Sequence, residues 1–95
     1  MRLLISQRAA RDLDEIAEYI AHHNPQRAAS FVAELGQQCR MLTSMPLAFR
    51  TRSDLLPGLR ICPYKRYLIL YRVESGALRV LRIAHSARDI YALLK

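Results

Sequence analysis

The stretch LDEIAEYIAHHNPQRAASFVAEL, residues 13–35, decides the fold. Leu13, Ile16, Ala17 and Ile20 stand at i, i+3, i+4 and i+7, an apolar stripe on a helix of roughly four turns. His22-His23-Asn24-Pro25 ends it, because Asn24 suits an N-cap and Pro25 a first helical position. A second helix starts at once, striped by Ala28, Phe31, Val32, Leu35, Cys39 and Leu42. Two amphipathic helices joined by about four residues make an antiparallel hairpin. Their stripes need an apolar surface to cover.

Outside the hairpin the period changes to that of strands. Arg2 to Ile5 reads as a strand running into the N-cap Ser6, with Asp12, Asp14 and Glu15 in the early helical turns to complement the helix dipole. Pro46 ends the second helix, and residues 47–58 form a connection closed by a Pro57-Gly58 turn. Leu59–Pro63 reads as a strand and Pro63–Arg66 as a hairpin loop. Tyr67–Tyr71 is apolar on both faces, which suits a central strand. Glu74-Ser75-Gly76 turns the chain into a strand over Leu78–Ile83, and a last short helix is expected over Ser86–Leu94, capped by Ser86.

The expected class is α+β, a β-α-α-β-β-β order with a short C-terminal helix. The helical hairpin packs on one face of a mainly antiparallel sheet, in a single domain spanning residues 1–95. Leu13, Ile16, Ile20, Phe31, Leu35, Leu42, Ile69 and Tyr71 are the expected core.

An apolar share of 52% excludes disorder, and at 95 residues such a domain buries only roughly 60–65% of its unfolded surface. The longest stretch free of charge is Met41–Phe49, far short of the about 20 apolar residues a membrane span needs. Arg8 and Arg11 cut the apolar start too short for a signal peptide, so residence in the cytoplasm, with no membrane partner, is expected.

Charge is one-sided. Residues 1–49 carry five cations against five carboxylates, residues 50–95 ten against three, so the net +7 lies wholly in the second part. Thirteen of the fifteen cations are Arg, which favours bidentate recognition of phosphate or carboxylate. Cys39 and Cys62 lack ligand spacing and read as buried, reduced thiols. Adjacent His22 and His23 point about 100° apart on a helix, which is poor geometry for a metal. No metal and no cofactor are expected.

Three function classes stay open on the residues alone. His85 among Arg60, Arg82 and Arg88 could serve acid–base cleavage of a phosphodiester, but Asp54, Glu74 and Asp89 are the only carboxylates in that half. Alternatively, Arg88 and Asp89 pair locally and His85 is an ordinary strand-end side chain. Tyr64, Tyr67 and Tyr71 interleave with the arginines as in nucleic-acid binders, although alternation puts Tyr67, Ile69 and Tyr71 together on a core-facing side. A small basic domain with a sheet edge and a helical hairpin also suits an acidic protein partner.

Six ordered segments carry a family resemblance: Asp12-Leu13-x-x-Ile16-x-x-Tyr19-Ile20, Asn24-Pro25-x-x-Ala28-x-x-Phe31, Pro46-x-x-x-Arg50, Leu55-x-Pro57-Gly58-Leu59-Arg60, Tyr67-Leu68-Ile69-x-Tyr71-Arg72 and Arg82-Ile83-x-His85-x-x-Arg88-Asp89. Together they resemble the ParE toxins of bacterial type II toxin–antitoxin modules, in the RelE/ParE superfamily. The resemblance implies a non-enzymatic toxin that inhibits DNA gyrase, blocks replication and is neutralised by a cognate acidic antitoxin. Promoter DNA would then be met only indirectly, through the antitoxin. Expected target contacts are Arg60, Arg82, His85 and Arg88, and expected antitoxin contacts are Leu13, Ile16, Ile20, Arg50, Arg52 and Tyr67. The RelE branch supplies the alternative, a ribosome-dependent mRNA endoribonuclease using His85, Arg82 and Arg60. The chain lacks that branch's lysine-rich second and third strands and its Tyr- or His-ended tail.

Overall fold

The computed structural model describes residues 1–95. Its elements are β1 (Arg2–Ile5), α1 (Gln7–Ala21), α2 (Pro25–Leu42), β2 (Arg60–Tyr64), β3 (Tyr67–Glu74), β4 (Ala77–His85) and α3 (Ile90–Leu93). The sheet order is β1-β4-β3-β2, with β1 parallel to β4 and the other pairs antiparallel. This is the expected α+β architecture.

Capping sets both helices. Ser6 Oγ accepts from Ala9 N and donates to the Leu81 carbonyl, each at 3.0 Å, so one hydroxyl starts α1 and fastens it to β4. Asn24 Oδ1 accepts from Arg27 N at 3.0 Å, with Pro25 as the first helical residue of α2. The hairpin covers the sheet face formed by Cys62, Ile69, Tyr71, Leu78, Val80 and Ile83, against which Phe31, Leu35, Cys39 and Leu42 are buried. Leu13 and Ile20 pack against this core only half-buried, because they lie on the flanks of the α1 stripe whose centre is Ala9, Asp12 and Ile16.

Several boundaries shift from the sequence-based expectation. β2 runs through Pro63 and Tyr64, leaving Lys65-Arg66 as a two-residue loop, since an edge strand tolerates a proline that cannot donate. At the next turn Ser75 and Gly76 both have positive φ, 51° and 76°, as a tight hairpin demands. The C-terminal helix is shorter than Ser86–Leu94. Ser86 N donates to the Arg66 carbonyl at 2.8 Å, which extends the β-hairpin instead of opening a helix, and Asp89 is the actual N-cap. Asp89 thus caps Ala92 N instead of pairing with Arg88.

The tip of the β2–β3 hairpin is tied to α2 by Glu34. Its carboxylate accepts from Arg27, from Tyr64 Oη at 2.6 Å and from Lys65 Nζ at 3.0 Å. Bonding to Arg27, then to Tyr64 and Lys65, pulls its pKa from 4.5 down to about 2.

Two outcomes are expected. Phe31, wedged against the rings of Tyr64 and Tyr67 at 6.1 and 5.4 Å, should cost about 3–5 kcal/mol when cut to Ala, read by urea unfolding. Glu34, with its pKa depressed in the folded state, contributes stability above pH 4.5 that is lost as pH falls towards about 2. Glu34→Gln should therefore lower the melting temperature at neutral pH and flatten its acid decline across that window.

Candidate functional site

β1 stops pairing with β4 at Ile5 and Val80, so the remainder of β4 has a free edge on that side. α1 crosses this edge and sends Asp12 onto it. Asp12 Oδ2 accepts from Ile83 N at 2.9 Å, satisfying a strand donor that has no neighbouring strand. The same carboxylate receives a bidentate fork from Arg82, Nε to Oδ2 at 2.9 Å and Nη2 to Oδ1 at 3.1 Å. Arg82 Nη1 goes on to the Leu93 carbonyl at 3.2 Å, holding α3. Asp12 is 3% and Arg82 9% exposed, so this pair is sealed inside the protein. It lies in the second turn of α1, whose first turn holds no acid, and is a tertiary anchor instead of a dipole partner.

Above the anchor opens a cleft of about 470 Å³ between α1 and the ends of β3 and β4. Tyr19 and Glu15 form one wall, Tyr67 and His85 another, and Arg66 and Arg88 stand at the rim. Tyr19 is 69% exposed, a large aromatic surface left open to solvent. The Tyr67 ring meets Phe31 at 5.4 Å on one side and His85 edge-on at 5.3 Å on the other, so the position of His85 is set from the core outward. Ala87 N donates to His85 Nδ1 at 3.1 Å.

A second cleft, of about 680 Å³, opens near Ile61, Pro63 and Leu68, on the sheet face opposite the helical hairpin. The connection before β2 lines it with Phe49, Arg50, Arg52 and Leu55, and α3 with Ile90 and Tyr91. Arg88 lines both clefts.

A family model described as the ParE toxin of type II toxin–antitoxin system, parDE, matches residues 3–90. The chain belongs to the ParE toxin family. Toxin ParE3 of Caulobacter vibrioides is 29% identical to it over 94 residues, 98% of this chain and 94% of that protein. A solved chromosomal ParDE TA system from P. aeruginosa matches with a TM-score of 0.80 and 25% identity, over 90% of this chain and 95% of that one. The protein is thus a ParE-family toxin of a type II toxin–antitoxin system.

In this ParE-family fold the expected target contacts divide. His85 and Arg88 share the first cleft, joined there by Arg66, which lies outside the sequence motifs, and by Tyr19, which the first motif carries but which was not among the expected contacts. Arg82 is withdrawn from the surface by Asp12, and half-buried Arg60 is bonded to the Phe49 carbonyl, so neither guanidinium lines the first cleft. The expected antitoxin contacts divide as well. Ile16 is buried and Leu13 and Ile20 half-buried in the seam between α1 and the sheet, so this stripe is no open surface. Tyr67 lines the first cleft, Arg50 and Arg52 the second. Cys39 and Cys62 are buried, and burial pushes the Cys39 thiol up to about 11, far from a reactive thiolate. His22 and His23 are exposed at the end of α1.

Asp12→Ala strands the Arg82 charge and the Ile83 N–H together, and should destabilise the fold by about 3–5 kcal/mol in denaturant unfolding. Adding Arg82→Met to that variant should recover part of the loss, because no unpaired charge then remains buried.

Proposed function

We propose that this ParE-family toxin acts by binding: it inhibits DNA gyrase in the cytoplasm, blocks replication, and is neutralised by a cognate acidic antitoxin. Promoter DNA is met only through that antitoxin. The target surface is the first cleft, with Arg88, Arg66 and His85 as its cationic and hydrogen-bonding rim. The observation that carries this reading is the state of His85. Its Nδ1 is occupied by the Ala87 N–H, which leaves the neutral ring's proton on Nε2. Acting as a base through Nε2 would need the opposite tautomer and would break that bond.

Arg82, the nearest cation in the strand, is neutralised by Asp12 and turned away from any phosphodiester in the cleft. A surface that only recognises one state of a target needs neither group free. The family match supports the toxin class, and the +7 charge supports an acidic neutralising partner.

Purified protein added to a gyrase supercoiling assay should inhibit it, and added to translating ribosomes should leave mRNA intact. Reversing Arg66 and Arg88 together to Glu should raise the half-inhibitory concentration by about tenfold or more, with a weaker effect at high salt. Codon-dependent mRNA cleavage that falls by about 10²–10⁴ in His85→Ala would overturn the assignment in favour of the endoribonuclease.

A further inference from the structure

Most cations of the basic half are bonded within the fold. Arg52 pairs with Asp54, Lys65 with Glu34, Arg72 and Arg79 with Glu74, Arg82 with Asp12, and Arg60 holds a carbonyl. Arg50, Arg66 and Arg88 make no side-chain hydrogen bond and no ion pair, and all three are exposed. Arg66 and Arg88 stand together at the rim of the first cleft. Backbone bonds hold them there. Ser86 N donates to the Arg66 carbonyl at 2.8 Å, Tyr67 pairs with His85 across the β3–β4 ladder, and Arg88 N closes a turn onto the His85 carbonyl at 3.0 Å.

The carboxylates of this cleft are already occupied. Asp12 is sealed by Arg82 and Ile83 N, and Glu15 accepts from Arg8 at 3.3 Å. What remains is a set of donors. The Nε2–H of neutral His85 has no acceptor in the protein. The hydroxyls of Tyr64 and Tyr71 are bonded internally, whereas those of Tyr19 and Tyr67 are not. Burial, and after it the neighbouring Tyr19, raises the pKa of Tyr67, so its hydroxyl stays protonated. Two cations on one rim with no carboxylate between them repel each other, and an anion rich in acceptor oxygens relieves that repulsion.

Tyr19, the most exposed aromatic ring of the chain, adds a flat apolar surface beside these donors. A protein carboxylate would satisfy the arginines and leave the ring unused. A nucleotide uses both, since its phosphate supplies the oxygens and its base has a face to stack. A cleft of about 470 Å³ is of the size that takes such a ligand.

We propose that the first cleft is a nucleotide site, with the phosphate on Arg66, Arg88 and the His85 Nε2–H and the base stacked on Tyr19. The nucleotide is free or belongs to a single strand. This assignment rests on the target-surface reading for its place alone, and its chemistry stands on the residues. The ligand is held without being cleaved, because His85 acts as a donor and Arg82 is sealed by Asp12.

Backbone amide NMR spectra of the full chain, titrated with deoxyadenylate, should shift at Tyr19, Arg66, His85 and Arg88. Arg66→Gln and Arg88→Gln should each weaken binding by about fivefold or more, with losses that shrink as salt is added. Tyr19→Ala should weaken deoxyadenylate by about fivefold or more and leave deoxyribose phosphate, which has no base, unchanged. Tyr19→Phe should keep most of the affinity. Arg11→Gln removes an exposed cation outside the cleft and should change binding less than about twofold. The dispersion of each variant's spectrum separates lost binding from lost fold. A short single-stranded oligodeoxynucleotide that binds about tenfold tighter than deoxyadenylate assigns the site to a strand, and equal affinity assigns it to a free nucleotide.

No shift at these four residues, or an equal loss in Arg11→Gln, would overturn the nucleotide site; if the chain still inhibited supercoiling, the gyrase reading would stand. Deoxyribose phosphate binding as tightly as deoxyadenylate would overturn the stacked base. An acidic peptide binding more tightly at the same residues would overturn the site in favour of a protein ligand. Nucleotide binding by a chain that left supercoiling untouched would support the site and overturn the gyrase reading.

Discussion

A carboxylate reaching from a helix to a bare strand edge holds this fold together. Asp12 accepts from Ile83 N and from both arms of Arg82, and Arg82 hands its remaining nitrogen to Leu93. One buried group thereby fixes the crossing of α1 over β4, closes an unpaired edge and tethers α3. Buried ion pairs add little net stability over apolar packing. The value of this one lies in register, because a strand donor and a guanidinium are satisfied together only when α1 and β4 stand in one relative position. The first cleft is built on that crossing, so its geometry inherits the anchor.

The bulge in β4 serves the same arrangement. Leu70 pairs with Arg82 while Tyr71 pairs with Val80, so Leu81 is the extra residue. Without it, Arg79 and Arg82, three apart, would point to opposite faces. With it, both lie on the face away from the helical hairpin, and Arg82 can curl round the free edge to Asp12 while Ile83 keeps its place in the core. A strand carrying two arginines three residues apart already hints at such an irregularity, since strict alternation would drive one of them into the hydrophobic layer.

Legibility in the sequence followed the range of the interactions. The helical hairpin was plain, because its stripes and the Asn24-Pro25 start are local. The edges of β2 and α3 were not, since they depend on which strand lies outermost and on a long-range bond from Ser86 N to Arg66. Asp12 read as a helix-dipole residue because its partner is 70 positions away and nothing in the local pattern points to it. The same holds for Arg82 and Arg60: arginine type and position are visible in sequence, but not that each guanidinium is bonded within the fold. Arg66 and Tyr19 entered the site only through the geometry that brings the hairpin tip beside α1.

That distinction between spent and unspent charge governs how a basic domain should be read. A net +7 suggests a broadly positive body, yet the cations of the second half are largely bonded at home, and the unpaired Arg50, Arg66 and Arg88 gather round two adjoining clefts. Half-buried, paired arginines such as Arg79 beside Glu74 contribute little to recognition, because a partner's carboxylate must displace one already present. Unpaired arginines beside an apolar floor have no such competitor, and the surrounding hydrophobic surface excludes water from the new contact. In a chain too short to bury all its apolar surface, the uncovered sheet face and the unpaired arginines are one feature: a part of the fold left open both in packing and in charge balance.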